Sequence, residues 1–308
     1  MRFSFGANWQ AYATRALTPE RVEQARRDFG ALLAGIDLRG KRFLDIGFGQ
    51  GLALGLAAEM GAEVLGIDID PVNLAALETT QRALGLAARP ETRLVSILDE
   101  TLVRTEAGRY DVVHSWGVLH HTGRMWQAMT NACALVGNDG FLVVAIYNRH
   151  WSSPVWKAIK WCYNRLPRLG QEAAVAAFYP IVYVAKWLVT GHNPARKERG
   201  MDFHYDLVDW LGGYPYEYAS AEEVRQFVCR QGFVCLRTRP ATVPTGCNEF
   251  VFQRRAEKPR SGSLGAEGGA SIGAARVSKR PFCSPDHSLT VAALTEGPAR
   301  FCQSRARQ

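Results

Sequence analysis

The sequence predicts an α/β fold in which a seven-stranded, mostly parallel sheet carries helices on both faces and a helical insertion follows the fifth strand. From residue 41 onwards, apolar segments of strand length alternate with segments of helix length, a pattern typical of parallel sheets. One of these strands runs directly into a glycine-rich turn and an Ala/Leu-rich helix. Two more strand segments close the pattern as a hairpin. A ligand is therefore expected at the carboxyl ends of the strands.

The elements follow in a regular order. Thr18 and Pro19 predict the start of a helix that runs to about Leu33. Ser220 with Glu223 predicts the start of another. The predicted strands cover residues 41–46, 62–68, 92–97, 110–115, 141–147, 233–239 and 248–254. The other predicted helices cover 51–60, 71–84, 123–136 and 220–231, with a shorter turn near 99–106.

These elements divide the chain into five parts. The division predicts an N-terminal helical cap (1–40), a core (41–148), a helical insertion or substrate lid (149–218), a C-terminal helix with the last two strands (219–255) and a tail (256–308). The tail is rich in Gly, Ser, Ala, Pro and Arg, and it offers little apolar surface to offset its chain entropy. It is therefore expected to be disordered.

The glycine-rich turn reads FLDIGFGQG, with Asp45 followed by Gly47, Gly49 and Gly51. Glycine is needed where the backbone turns with positive φ or approaches a ligand closely. A dinucleotide fingerprint requires a glycine at the position of Leu52, so the spacing disfavours that class. An acidic residue at the strand end repels a pyrophosphate and suits a cationic ligand.

This D-x-G-x-G-x-G pattern resembles motif I of the class I S-adenosylmethionine (SAM) dependent methyltransferases. The resemblance covers about residues 41–148 and includes GIDIDP (66–71) and YDVVHSWGVLHH (110–121). Within that superfamily the chain is similar to the ubiquinone/menaquinone-biosynthesis methylase group. The resemblance implies a Rossmann-like class I methyltransferase fold, SAM as the cofactor of the core, and methyl transfer as the reaction.

The resemblance also implies roles for residues at the first two strand ends. Asp45 is expected to hold the amino group of the cofactor, and the glycine backbone its methionine part. Asp68 follows the second strand and is expected to accept hydrogen bonds from both ribose hydroxyls. Ile69 is expected to pack on the adenine ring, and Asp70 to cap the next helix.

The third strand ends in Ser96-Ile97-Leu98-Asp99, where the family usually places G-D-A. Either Ser96 replaces the adenine-binding carboxylate, or Asp99 reaches back to the adenine. The backbone of Ile97 is expected to contact the adenine in both cases.

The fourth strand ends in SWGVLHH, beside the expected position of the transferred methyl group. Ser115 is expected to contact the cofactor. His120 and His121 are candidate general bases near pH 7, and His121 is favoured because similar enzymes tend to keep the second histidine. The alternative is that one histidine bonds a loop carbonyl and only orders the site.

The insertion carries two features of its own. Residues 201–218 contain His204, Asp206 and Asp209, which predict either a wall of the substrate pocket or a packed anchor for the lid. Residues 154–168 are basic and rich in tryptophan, and residues 173–190 are apolar but contain Pro180 and Lys186. These segments favour a helix in the interface of an anionic membrane over a transmembrane helix. The competing interpretation is a lid that buries its apolar face.

Trp156, Lys157 and Lys160 are expected to carry the membrane contact.

Composition narrows the class of protein. The net charge of +8 is uneven: residues 149–200 hold nine Lys or Arg against two acids and residues 256–308 hold eight against four, so the rest of the chain is acidic overall. The seven cysteines form no C-x-x-C pair or metal-binding spacing, and the first residues lack a signal-peptide apolar region. A cytoplasmic protein without a metal is expected, peripheral at most to the inner face of the membrane.

The leading hypothesis is methyl transfer from SAM to an oxygen of a small or lipid-like acceptor, such as a quinone precursor. One alternative is an RNA or other nucleic-acid methyltransferase that uses the basic insertion. It is weakened because GVLHH, not an N-P-P-Y-type tetrapeptide, follows the fourth strand. A non-catalytic SAM-binding module is a further alternative, and aminopropyl transfer is disfavoured because that family's acidic signature is missing.

Overall fold

The structure is a computed structural model that describes residues 3–195 and 201–255. The predicted tail, residues 256–308, lies outside these residues.

A seven-stranded sheet forms the centre of the described chain, in the order β3-β2-β1-β4-β5-β7-β6. Its strands are β1 Arg42–Ile46, β2 Glu63–Asp68, β3 Glu91–Leu94, β4 Tyr110–Trp116, β5 Val136–Tyr147, β6 Phe233–Arg239 and β7 Cys247–Arg254. The first five strands pair in parallel, and β7 runs antiparallel to both β5 and β6. The seven-stranded, mostly parallel sheet with a final hairpin is confirmed.

Helices surround this sheet. In the described residues they are α1 Phe5–Arg15, α2 Pro19–Leu32, α3 Leu52–Glu59, α4 Asn73–Leu84, α5 Glu100–Glu106, α6 Met125–Leu135, α7 Ser153–Tyr163, α8 Arg168–Thr190, α9 Phe203–Gly212 and α10 Ala221–Cys229. One buried apolar cluster includes α6, α10 and one set of strand residues, and another includes α2, α3 and the alternate residues of β1, β4 and β5. The sheet is thus covered on both faces, as alternation along the chain predicts.

The two helix N-caps that the sequence predicts are present. The Thr18 side chain accepts a hydrogen bond from the amide of Arg21, with Pro19 in the first turn of α2. Ser220 and Glu223 form a reciprocal capping box at the start of α10. Side-chain acceptors at these positions satisfy amides that a helix leaves without an internal partner.

Three elements differ from the expectation. Helix α1 forms where the sequence showed little periodicity, since its buried residues face two separate elements, α4 and α9. Asp99 caps a full helix, α5, in place of the expected short turn. Strand β5 begins at Val136, five residues before the expected start, because the register of β4 and β5 shifts between Tyr110 and Val112 and lets the strand extend.

The insertion consists of α7, α8 and α9, which bury a small core of their own. Its buried members are Tyr163, Val175, Val182, Phe203, Leu207 and Leu211. Lys160 of α7 is also fully buried, and its ammonium group donates to the carbonyl of Trp210 and lies 4.8 Å from the centre of the Tyr216 ring. The Trp156 ring packs 3.9 Å from the Trp210 ring, measured between centroids.

The expected membrane-facing set is therefore wrong for two of its three residues. Lys160 is buried and Trp156 packs inside the insertion, whereas Lys157 is exposed. The helical period of α7 places positions 156 and 160 together, one turn apart, on the face that meets α9. The apolar exposed surface lies instead on α8, where Leu169, Ile181, Trp187, Leu188 and Val189 are all more than half exposed.

Candidate active site

The glycine turn after β1 has the backbone conformation that its sequence requires. Gly47, Gly49 and Gly51 have φ values of 72°, 54° and 78°, in the left-handed region where a Cβ atom is strained. A Cβ atom on Gly47 would also lie 2.5 Å from Cγ1 of Val118. Only glycine therefore lets the turn approach the loop after β4.

Asp68, at the end of β2, holds this turn from the neighbouring strand. One carboxylate oxygen accepts from the Gly49 amide at 3.1 Å, and the other accepts from the amides of Ile69 and Asp70 at 2.7 and 2.9 Å. Burial raises the pKa of Asp68, and these amides act in the opposite direction. The side chain of Asn73 also bonds this carboxylate, so four donors already surround it, and the ribose hydroxyls would share its oxygens with them.

Asp45 has a partner that the sequence did not reveal. The Nδ1 atom of His114 lies 2.7 Å from Oδ1 of Asp45, and both side chains are buried. The His114 ring stacks between Phe43 and Trp116, with both centroid distances 5.8 Å. The two residues sit opposite each other in neighbouring parallel strands, a pairing that only the register of the sheet makes visible.

Ser96 and Asp99, at the third strand end, occupy different places in the structure. Asp99 accepts a hydrogen bond from the Leu102 amide at 2.8 Å and serves as the N-cap of α5. Ser96 and Ile97 line the central cavity. The Ser96 hydroxyl accepts from the Leu98 amide at 3.1 Å. Ser96 is therefore the polar side chain of this segment that faces the expected adenine position.

The two histidines after β4 lie in different environments. His121 borders the cavity, and its Nδ1–H donates to the carbonyl of Pro215 at 2.6 Å. His120 is fully buried behind it and accepts from the Tyr147 amide at 3.3 Å. Burial, with the nearby His121 and Lys160, holds the pKa of His120 well below its usual range, so this ring stays neutral. Ser115 is also buried, and its hydroxyl donates to the Ile46 carbonyl at 3.3 Å.

A cavity of about 710 Å³ connects these groups. The sequence-predicted residues that line it are Asp45, Gly47, Gly49, Asp68, Ile69, Ser96, Ile97 and His121. Gly51, Ser115 and His120 are not among its lining residues; Gly51 instead caps α3, and the other two support the walls. The insertion contributes Met201, Asp206 and Asp209, which places the two flagged carboxylates in the same cavity as the glycine turn.

Helix α1 closes one side of this cavity. The Gly6 amide donates to Oδ2 of Asp70 at 3.1 Å, and the indole of Trp9 lies beside Gly49. Asp70 also accepts from the Val72 amide, so it links α1 to the start of α4. Tyr12 of the same helix is fully buried. Trp9 is one of the lining residues that the sequence did not indicate, because a separate helix at α1 was not predicted.

No group of three or more His, Cys, Asp or Glu side chains in the described residues is placed to hold a metal ion.

Comparisons with known proteins identify the family. A family model described as a methyltransferase domain matches residues 19–205, more than half of the chain. The chain belongs to the methyltransferase-domain family. This confirms the predicted enzyme class, and the glycine cradle, Asp68 and the Ser96–Ile97 wall fit the predicted cofactor, SAM.

Two curated relatives of this methyltransferase share its core. A ubiquinone biosynthesis O-methyltransferase of Rhodopseudomonas palustris (strain TIE-1) is 33% identical over 116 residues, which are 38% of this chain and 44% of that protein. One of Sinorhizobium medicae (strain WSM419) is 38% identical over 161 residues, 52% of this chain and 54% of that protein. The methyltransferase thus spans about half the length of these relatives.

A solved structure gives a further comparison. Magnesium protoporphyrin IX methyltransferase from Synechocystis PCC 6803, with bound SAH, superposes with a TM-score of 0.48 at 18% identity, over 76% of this chain and 83% of that one.

Replacing Asp68 with alanine is expected to weaken SAM binding. The change removes the expected acceptor for the ribose and the observed anchor of the Gly49 amide. Hydrogen bonds to a charged acceptor contribute about 1.5–3 kcal/mol, so the dissociation constant should rise roughly ten- to hundredfold. Isothermal titration calorimetry measures it, with Asp99→Ala as a control that removes a carboxylate from a helix cap. Unchanged affinity in the Asp68 variant would exclude Asp68 from the cofactor site.

Proposed function

We propose that this methyltransferase transfers the methyl group of SAM to an oxygen atom of a small, lipid-like acceptor, such as a phenolic quinone precursor. The observation that carries the proposal is the single cavity that runs from the glycine turn to the insertion helix α9. Phe3, Phe5 and Met201 supply apolar walls at its insertion end, and His121, Asp206 and Asp209 supply polar groups. The names of the two curated relatives support an oxygen acceptor.

The residues that line the cavity would align the two reactants. SAM supplies a methyl group on a sulfonium, a good leaving group, so the protein has mainly to align the acceptor with it. Such alignment is worth about 7–11 kcal/mol of the barrier. The glycine turn and Asp68 lie at one end of the cavity, and at the other end Asn8 of α1 bonds Asp209 of α9.

Transfer to nucleic acid is the weaker candidate. It relied on the positive charge of the insertion, but Lys160 is buried and Lys186 forms an ion pair with Asp206 at 3.1 Å. One of the basic groups counted from the sequence is thus buried and another is paired with a carboxylate, which leaves fewer charges to meet phosphates.

A transfer assay distinguishes the two functions. Purified protein is incubated with methyl-labelled SAM and either 3,4-dihydroxybenzoate, its polyprenylated form, or total RNA. We expect label in the methoxy group of the phenols, with the polyprenylated acceptor preferred. Label in RNA, or on carbon or nitrogen of an acceptor, would contradict the proposal.

We propose His121 as the histidine that works at the acceptor, with His120 as part of its support. His121→Ala is expected to lower turnover by about ten- to hundredfold through misplacement of the acceptor, while SAM affinity changes little. Turnover is measured with 3,4-dihydroxybenzoate and affinity by calorimetry. Equal losses in turnover and affinity would show that His121 only orders the site.

We also propose that helix α8 docks on an anionic membrane from which the acceptor enters. Among the described residues, α8 alone is long and apolar enough to span a membrane, and only 11% of its most apolar window is buried. Exposed Arg165 precedes its N-terminal end and exposed Arg168 is its first residue, while exposed Lys157 lies on the neighbouring helix α7. Exposed apolar side chains with a basic rim favour an interfacial position on anionic lipid. The protein would then work at the inner face of the membrane from the cytoplasm.

Flotation with liposomes tests this surface. The wild type is expected to float with phosphatidylglycerol liposomes at low salt and less at high salt, since charge attraction is screened. Replacing Ile181, Leu188 and Val189 together with serine should abolish flotation, because each buried aliphatic side chain contributes about 1.5–3 kcal/mol. Leu94 and Leu236, exposed on the two opposite edge strands of the sheet, give a control when changed to serine.

Two outcomes would contradict the membrane assignment. If the wild type does not float with the liposomes at low salt, α8 does not bind the membrane. A wild type that sediments as a dimer, and becomes a monomer in the triple variant, assigns α8 to a second copy of the chain.

A further inference from the structure

Two carboxylates on one face of α9 border the insertion end of the cavity. Asp206 and Asp209 are three residues apart and therefore neighbours on the helix surface. Asp206 is paired with Lys186, whose ammonium group lies 3.1 Å from Oδ2. Asp209 accepts from the side-chain amide of Asn8 at 2.7 Å, and no cationic group of residues 3–195 or 201–255 pairs with it. The two carboxylates thus differ in their partners.

Asp209 lies on the side of α9 that meets His121. The Gly213 amide donates to the Asp209 carbonyl at 2.8 Å, one turn further along the helix. A Cβ atom on Gly213 would lie 2.7 Å from Cε1 of His121. The backbone of this turn therefore packs directly on the histidine that borders the expected acceptor position.

The surroundings of Asp209 make its carboxyl group more basic. Burial raises its pKa to about 8; the Asn8 hydrogen bond and the charge of Lys160 lower it, and Asp206 raises it. The other titratable groups that interact with it are Tyr147 of β5 and Tyr163 of α7. Burial also lowers the pKa of Lys160, to about 7. A base is most effective when its pKa lies near the working pH.

We propose that Asp209 is the catalytic base that accepts the proton of the acceptor hydroxyl group, an inference that rests on the proposed oxygen transfer. The O–H bond breaks and its proton passes to the Asp209 carboxylate. The acceptor oxygen forms the new O–CH₃ bond as the C–S bond breaks, and the electron pair of that bond stays on sulfur. The products are a methyl ether, S-adenosylhomocysteine and a protonated carboxyl group, which returns its proton to water.

We assign His121 a positioning role, because the hydrogen bond from its Nδ1 to the Pro215 carbonyl fixes the ring and leaves Nε2 as a hydrogen-bond acceptor. Asn8 positions Asp209 from α1, the helix that also meets the glycine turn through Trp9. The base is thus held by the element that closes over the cofactor.

Two acceptors of different acidity test the assignment. Catechol keeps its hydroxyl proton near pH 7.5, whereas 4-nitrocatechol is largely ionised there and has less need of a base. Asp209→Asn is expected to lower kcat for catechol by about 10²–10⁴-fold, and for 4-nitrocatechol by far less. Affinity for S-adenosylhomocysteine, measured by calorimetry, should stay within about twofold.

The pH profile provides a second readout. Wild-type kcat for catechol should rise with pH through an inflection near 8 and level off above it, because the base works only when deprotonated. The inflection should vanish in Asp209→Asn and persist in Asp206→Asn, the matched loss of a carboxylate one turn away. Asp209→Glu should recover part of the rate together with the inflection.

Three outcomes overturn the proposal. Equal losses for both acceptors in Asp209→Asn, with no recovery in Asp209→Glu, would indicate a structural role. If Asp209→Asn keeps the wild-type rate and pH profile, Asp209 is not the base, and the proposed function still stands. A wild type that methylates no hydroxyl group on any acceptor overturns the proposed function and the base together.

Discussion

Gly47→Ala is expected to reduce SAM affinity by more than about a hundredfold and to destabilise the fold. Its φ of 72° is strained for any residue with a Cβ atom, at a cost of about 1–2 kcal/mol. The added methyl group would also meet Val118 at 2.5 Å and push apart the two loops that face the cofactor. Calorimetry with S-adenosylhomocysteine and thermal unfolding measure the two effects.

Gly85 offers a matched control for this substitution. It has a φ of 68°, but a Cβ atom there would have no neighbour within 4 Å. Gly85→Ala should therefore show the strain in thermal unfolding and leave the cofactor affinity as it is. If both variants bind the cofactor equally well, the turn at Gly47 does not form the cofactor site.

His114→Phe is expected to lower the free energy of unfolding by about 1.5–3 kcal/mol, because it leaves the buried Asp45 carboxylate without its partner. Phenylalanine keeps the ring between Phe43 and Trp116, so the loss reports the hydrogen bond more than the packing. SAM affinity should fall as well, since Asp45 lines the cavity beside the glycine turn.

The double variant His114→Phe with Asp45→Asn is the control for that prediction. It removes the unpaired charge, so part of the lost stability should return in chemical denaturation. A double variant less stable than His114→Phe alone would show that Asp45 has another partner that matters more.

The fold was predictable because its signals are local. The Asp45–Gly51 turn, the alternation of strands and helices, and the caps at Thr18 and Ser220 each depend on a few neighbouring residues. They fix the sheet and hence the carboxyl ends where Asp68 and Ser96 meet.

The rest of the site depends on contacts between distant residues. The partner of Asp45 is 69 positions away, and Asn8 reaches Asp209 across 201 positions. Helix α1 lacks a sequence signal because Tyr12 and Asn8 bury against elements from other parts of the chain. Lys160 was also misplaced by its local sequence. A lysine in a basic segment predicts a surface position, but tertiary packing encloses its ammonium group between Tyr147 and Tyr216.

A crystal structure with S-adenosylhomocysteine and 3,4-dihydroxybenzoate tests the central claim most directly. The ribose hydroxyls should lie within hydrogen-bond distance of Asp68, the adenine beside Ile69 and Ser96, and the sulfur should face an acceptor hydroxyl held between His121 and α9. A cofactor product bound away from the Gly47 turn, or an acceptor bound outside the shared cavity, would contradict the account.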